Sequence, residues 1–479
     1  MAGGQLPLAR GAVALPHPPA DARAILSAAL AAVDAGRAVH QSLAVASGVL
    51  RVGGRRPYAP GAPRRTDDPL TLDLAAIERI YLVAAGKAAR PMVEAAESIL
   101  GDRVTAGVAA GGSGASARTT FYPGGHPLPN PSSLMAARHV QRLLADAGPR
   151  DLVVVLLSGG ASAMLEAPPP GLPLAEIAAT SATLLGCGAP VEAVNAVRKH
   201  LSLVKGGGLL RWVAPARVVT LALSDVVAHG GVDEAATIGS GPTWPDPTTF
   251  ADAGAVLSHF DLWARVPAVV ADHLRAGMAG RVPDTLKPDA YPSPAYRVVA
   301  DGALAAAAAA AEARHRGYAP LVLTTGLHGE ARDAGRVLAA IAVEAAASHQ
   351  PVAPPACLIA AGETTVTLRR LGGTGGRNRE LALAAALTLS GQPAVTLAAL
   401  ATDGVDGSPG GAGALADGTT VARAAALGRD ARATLDRHDS GPFFAALGDD
   451  IDPGPTGTNV GDLAIALVGA PPAAPDAAP

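Results

Sequence analysis

Residues 152–157, Leu-Val-Val-Val-Leu-Leu, carry no polar side chain and stop abruptly on Ser158-Gly159-Gly160-Ala161-Ser162. A short apolar run closed by glycines suits a strand buried on both faces. The pattern recurs at 80–86, 103–110 and 217–223, and again at 296–301, 320–325, 356–364 and 393–404. Helix-like stretches separate these runs. One, ending near Leu144, is expected to be capped by Ser132 or Ser133; others cover the alanines 303–311 and the span 330–347. Doubly buried strands alternating with helices predict an α/β fold built on parallel sheet.

With 479 residues, 49% of them hydrophobic, the chain can fill two cores. Prolines 267, 283, 288, 292 and 294 break the periodicity over 261–296, which makes that stretch the expected boundary. No run reaches the roughly 20 apolar residues that span a bilayer. The 38 basic and 41 acidic residues give a net charge of −3, so neither nucleic acid nor an anionic membrane is an expected partner. Small anionic substrates remain compatible with that balance. Cys187 and Cys357 are too few and too far apart for a disulfide framework or a cysteine zinc site. A reducing cytoplasm is the expected location, and residues 1–20 lack the pattern of a secretory signal.

Ligands of open parallel sheets bind beyond the carboxyl ends of the strands. The loops at those places are rich in glycine: Ser158–Ser162, 203–210, 223–231, 238–250, 371–380, 401–413 and 454–462. Glycines let main-chain N–H groups approach an anion closely, so the set reads as a phosphate-binding vocabulary. The usual nucleotide motifs are missing. Gly86-Lys87 is followed by Ala88 where a P-loop needs Ser or Thr, and no G-x-G-x-x-G opens a helix. Ser162 is flanked by Gly160 and Met164, which is not the nucleophile elbow of a hydrolase.

Taken in order, Gly86-Lys87-Ala88, GGHPLPN (124–130), LLSGGASAML (156–165), NAVRKHLSLVKGG (195–207), LSDV (223–226), GSGPTWPDPTTF (239–250), GEAR (329–332), GGTGGRN (372–378), ATDGVDG (401–407) and GPTGTNV (454–460) resemble the class II glycerate 2-kinase family over about 22–468. The family is also known under the label hydroxypyruvate reductase. The resemblance implies phosphoryl transfer from ATP, with Mg²⁺, to the 2-hydroxyl of D-glycerate or a related small hydroxy acid. It also implies a larger Rossmann-like N-terminal domain (22–290) and a smaller α/β C-terminal domain (291–468), with the active site in the cleft between them and a homodimer as one option for assembly. Residues 1–21 and 469–479 are expected to be loose tails.

Phosphoryl transfer needs cations on the moving phosphate, a metal held by carboxylates and an oriented hydroxyl. Lys87, at a strand–helix junction, suits the first role, and Arg377 in its glycine turn could clamp either the phosphate or the glycerate carboxylate. Asp225, just past a strand, is the candidate proton acceptor or metal ligand, with Asp403 and Asp406 as further metal ligands. Ser158, Gly159, Gly160 and Ser162 form the expected anion nest. Asn195 and Arg198, three apart, would share one helix face toward an anion, with Lys205 nearby and Lys199 turned to solvent. Thr456, Thr458 and Asn459 offer contacts to nucleotide phosphates, whereas His126 reads as a packed turn residue.

Several family acids are replaced. Ser224-Asp225-Val226-Val227-Ala228-His229-Gly230 stands for S-D-V-x-G-D-D, Asn130 ends the usual H-P-x-P-D, Gly411 and its neighbours carry no aspartate, and Gly461 replaces an asparagine of N-V-N-D. Asp233 and Glu234 are the nearest acids in sequence available to stand in. Three outcomes follow: a glycerate kinase with a re-routed metal shell, a kinase of another hydroxylated substrate, or a paralogue that binds nucleotide without efficient turnover.

Overall fold

A computed structural model of the chain describes residues 18–57, 69–227, 234–291, 294–368, 373–392, 394–408 and 410–469. Their strands form three sheets. The smallest joins β1 (Leu43–Ala46), β2 (Val49–Val52) and β3 (Leu70–Asp73) antiparallel. The second holds β4 (Ile80–Ala85), β5 (Val104–Ala110), β6 (Gly114–Ala115), β7 (Thr119–Tyr122), β8 (Leu152–Leu157), β9 (Arg217–Ser224) and β10 (Ala295–Asp301), ordered β10-β9-β8-β4-β5-β7-β6. Every pairing in it is parallel except that of the short β6 with β7. β4 and β8 are buried at each position, as their unbroken apolar runs predict.

The third sheet holds β11 (Ala319–Leu327), β12 (Ala356–Gly362), β13 (Val395–Ala401), β14 (Gly413–Asp417), β15 (Asp450–Ile451) and β16 (Asp462–Val468), ordered β11-β12-β16-β13-β14-β15. Only β11 and β12 run parallel; the other pairs are antiparallel. The parallel sheet expected here is therefore replaced by a mixed one. Its central strands β12, β13 and β16 are buried throughout because both faces are covered, and a continuous apolar run reports burial whichever way a strand points.

The helices used below are α1 (Pro18–Ala32), α2 (Ala89–Leu100), α3 (Pro131–Leu144), α4 (Val191–Lys199), α5 (Gly302–His315), α6 (Ala331–Ser348) and α7 (Arg377–Leu389). The cap of α3 is Asn130, not a serine of its first turn: its side chain accepts from Ser133 N at 3.1 Å, while Ser133 Oγ accepts from Asn130 N at 3.2 Å. α5 buries Ala305, Ala306, Ala309, Ala310 and Ala313, small enough for close packing on β11 and β12 and on α1.

The boundary drawn at residue 290 does not hold. β10, over 295–301, is the edge of the second sheet. α1 packs against α5, β13 and β16 of the C-terminal unit, because Ala22, Ile25, Leu26 and Ala29 need an apolar partner and the alanines of α5 supply one. Asp21 accepts from Arg316 at 2.7 Å and from the Tyr318 hydroxyl at 3.0 Å, so residues 18–21, expected loose, are the first turn of a fixed helix. Residues 1–17 and 470–479 of the expected tails lie outside the described residues. The proline-rich stretch is not a linker either. It contains the helix Ala268–Met278, whose Val270 and Leu274 pack with Phe250, Leu257 and Leu262. One core, holding Leu26, Leu82, Val154, Leu221, Ala309, Ile359 and Ile465, runs through both units.

Candidate active site

The carboxyl ends of β4 and β8 are stitched together by the residues that follow them. Ser158 N donates to Ala85 O at 3.0 Å, Lys87 N to Gly159 O at 2.9 Å and Ala88 N to Ser158 Oγ at 3.0 Å. Gly86 (φ 121°) is obligatory at this crossing, since a Cβ there would lie 2.3 Å from Ser158 Oγ. The arrangement fixes Lys87 at the mouth of the junction. It leaves Gly159 and Gly160 N–H without an acceptor among the described residues, facing a cavity.

That cavity, about 1200 Å³, lies between the two units. One wall carries His126, Gly159, Gly160, Ser162, Asn195, Arg198 and Asp225; the other carries Glu363, Thr364, Gly375, Gly376, Arg377 and His438. Its outer rim is apolar, with Leu185, Pro190 and Val191 on one side and Val366 and Leu368 on the other. The expected interdomain cleft is thus present.

Charged groups converge where the strand ends of the two sheets face each other. The Lys87 ammonium lies 2.6 Å from Asp403 Oδ2, and Asp403 Oδ1 accepts from Val405 N at 3.0 Å. Arg377 holds Asp462 with two N–H groups, at 2.5 and 3.0 Å, and Glu363 with a third at 2.6 Å. Asp225 Oδ2 accepts from Asn459 Nδ2 at 3.0 Å. Burial pushes the Asp225 carboxyl above the usual carboxylate range, against the pull of Lys87 and Arg377. Burial also raises Glu363, and raises Asp462 to about 7 although Arg377 opposes it. Burial, reinforced by Lys87, lowers the His126 imidazole to about 4, so it is neutral at pH 7. Gly159 closes this corner, because a Cβ on it would stand 2.1 Å from both Asp225 Oδ2 and Asn459 Nδ2.

On α4 the residues Val191, Asn195 and Arg198 repeat at helical spacing and line the cavity. Asn195 Oδ1 accepts from Ser240 Oγ at 2.8 Å, and Ser240 Oγ meets Ser162 Oγ at 2.7 Å. Arg198 has no hydrogen-bond or ion-pair partner among the described residues.

The structure thus gathers Lys87, Asp225, Arg377, Asp403, Asn459, Gly159, Gly160, Ser162, Asn195 and Arg198 around one cleft. Others of the expected set turn away from it. Lys205 is buried in an ion pair with Glu166, and Lys199, expected in solvent, is buried 3.2 Å from Asp246. Asp406 is no candidate metal ligand: its oxygens accept from Asn378 N and Arg379 N at 2.9 Å and so cap α7. Thr456 Oγ1 donates to Thr402 O and Thr458 Oγ1 to Val33 O, both at 2.5 Å, and Ser158 Oγ serves the β4 junction. Glu234 does not replace a lost acid, because Arg55 holds both of its oxygens at 2.6 and 2.7 Å. Asp233 lies outside the described residues. His126 lines the cavity instead of filling a turn. Glu363 and Asp462 were missed by sequence reasoning. Each immediately follows, or opens, a fully buried strand, and that position was the available signal.

Among the described residues no three His, Cys, Asp or Glu side chains stand close enough to hold a metal ion by themselves. No helix among them is long and apolar enough to cross a membrane.

Two α/β units clasping a cleft whose floor is lysine, arginine, carboxylate and bare glycine amides define an enzyme of the group-transfer class. The comparisons narrow the class. A family model described as a domain of unknown function, DUF4147, matches residues 21–275, and one described as the MOFRL family matches 356–462. A glycerate 2-kinase of Pyrococcus horikoshii is 39% identical over 81% of this chain and 87% of its own, and a D-glycerate 2-kinase of Thermotoga maritima is 37% identical over 83% and 93%. The crystal structure of a Thermotoga maritima glycerate kinase superposes with a TM-score of 0.77 at 33% identity, covering 94% of this chain and 99% of that one. The chain belongs to the class II glycerate 2-kinase family, built of the DUF4147 and MOFRL domains.

Proposed function

We propose that this protein transfers the γ-phosphoryl group of ATP to the 2-hydroxyl of D-glycerate. The observation that carries the reading is the meeting of Lys87 and Asp225, from the ends of parallel strands in one unit, with Asp403 and Arg377 of the other. Lys87 and Arg377 stabilise the charge that develops on the transferring phosphoryl group. Asp225, made more basic by burial, takes the proton of the acceptor hydroxyl as its oxygen bonds to phosphorus and ADP departs. The unpaired amides of Gly159 and Gly160 receive phosphate oxygens, and the apolar rim suits the adenine ring.

Magnesium entering with nucleotide needs only one or two protein carboxylates besides phosphate oxygens. The donor set fits this: Asp403 would hold the ion, which neutralises phosphate charge when bound, and Asp225 stays free to act as the base. Lys87 must then leave Asp403 for the phosphate, so the ion pair seen between them is a resting arrangement. Closure of the cleft excludes water that would compete for the phosphoryl group. A cytoplasmic location and a homodimer belong to the same reading.

The loss of acids around Asp225, with Glu234 committed to Arg55, favours a second reading in which nucleotide binds without efficient turnover. A coupled ADP-release assay with D-glycerate, followed by phosphorus NMR of the product, decides between them. Lys87→Ala and Arg377→Ala serve as controls. ADP release that survives both substitutions overturns the site. Thermal stabilisation by ATP with no ADP release from any hydroxy acid selects the second reading. Oxidation of NADH or NADPH by hydroxypyruvate would select a reductase.

A further inference from the structure

Among the described residues, the cations around the cleft are paired with one exception. Lys87 has Asp403, Arg377 has Asp462 and Glu363, Lys199 has Asp246 and Lys205 has Glu166. Arg198 faces the same cavity from α4 with no partner among the described residues. Glu166, the acid whose charge it feels, is committed, accepting from Lys205, from Ser202 Oγ at 2.5 Å and from Ala167 N at 3.0 Å. A largely buried guanidinium left unpaired is costly, and a cavity-facing one is completed by an anion arriving from outside.

We propose that Arg198, with Asn195 one turn before it on the same helix face, anchors the carboxylate of the acceptor and so selects hydroxy acids over neutral alcohols. This rests on the reading of the cleft as a kinase site. Two features favour a carboxylate over a nucleotide phosphate. Phosphate oxygens already have the Gly159 and Gly160 amides, Lys87 and Arg377, whereas nothing else in the wall built from α4 offers a cation. His126 lines the cavity together with Arg198, and the charges of both Lys87 and Arg198 reach it, so the free guanidinium and the transfer group act on one cleft. A guanidinium presents two parallel N–H donors that match a carboxylate fork, and its charge is permanent across the working pH range. The Ser240 hydroxyl, itself bonded to the Ser162 hydroxyl, donates to Asn195 Oδ1 and so holds the amide of this cavity-lining residue in place.

The test measures binding of D-glycerate and of its methyl ester by calorimetry, together with KM for D-glycerate and for ATP, in the wild type, Arg198→Gln and Arg198→Lys. Arg198→Gln is expected to weaken D-glycerate binding and raise its KM on the order of 100-fold, with ATP constants moving less than about threefold. The lysine variant falls between, and the wild-type preference for the acid over the ester disappears in Arg198→Gln. The glutamine variant is expected to melt no lower than the wild type, since it removes an unpaired buried charge. Loss of ATP affinity with D-glycerate binding unchanged overturns the proposal. So does equal wild-type affinity for acid and ester, a comparison that holds even if a variant fails to fold. Wild-type protein that binds D-glycerate through Arg198 but releases no ADP defeats the kinase reading and leaves this inference standing. Normal turnover with an unchanged KM in Arg198→Gln does the reverse.

Discussion

The Lys87 ammonium and the Asp403 carboxylate meet 2.6 Å apart across the cleft, one just past the end of β4 and the other just past the end of β13. The opposite unit thus fixes the direction of this lysine. Lys87→Ala should lower kcat/KM on the order of 100-fold or more in the ADP-release assay. Because the pair is partly solvated, melting should report a change below about 1 kcal/mol.

Gly159 is required by its neighbours and not by its own backbone angles. A Cβ at this position would collide with Asp225 and Asn459. Gly159→Ala should therefore displace the Asp225 carboxylate, removing on the order of 100-fold in rate while costing about 1–3 kcal/mol of stability. Unchanged turnover in this variant would remove Asp225 from the reaction.

Asp403 and Asp406 stand on one loop but do different work. Asp406→Asn should destabilise the protein by about 1–3 kcal/mol, by weakening the cap of α7, and leave any dependence of the rate on Mg²⁺ equal to that of the wild type. Asp403→Asn should raise the Mg²⁺ concentration for half-maximal rate with little effect on melting. Titration of the metal against rate in both variants checks the assignment.

Asp462 supplies a pH signature. Burial raises its carboxyl from the usual 3.8 to about 7 in the folded state, so between those values the folded chain binds more protons than the unfolded one. The stability this group contributes is full below about 4, declines as pH rises and levels off above about 7. Asp462→Asn should remove that decline, read as the difference between wild-type and variant melting temperatures across pH 4–8.

The His126 imidazole, lowered to about 4, carries no proton at working pH. His126→Gln should leave the shape of the pH profile of kcat/KM between about 5 and 8 unaltered. A break near the ordinary histidine value that vanishes in the variant would show that His126 titrates during turnover.

Sequence reading succeeded where a local rule acts alone. The strands β4 and β8 and the glycines after them are legible because burial on both faces and close backbone crossings favour apolar or bare residues there. The position of Lys87 follows from the same junction. It failed where a residue's partner lies far along the chain. Nothing local distinguishes Asp406, which caps α7, from Asp403, which meets Lys87. Nothing near Lys205 announces that Glu166 will neutralise it. Strand direction in the third sheet was likewise invisible, since an apolar run looks the same in either orientation.

The docking of α1 on α5 and β16 gives synthesis of this chain an awkward timetable. The apolar stripe Ile25, Leu26 and Ala29 leaves the ribosome roughly 270 residues before the alanines that cover it. At about 5–20 residues per second, that stripe waits uncovered for on the order of tens of seconds. A nascent chain of this kind is exposed to chaperone capture and to self-association through that one helix, however stable the finished enzyme becomes.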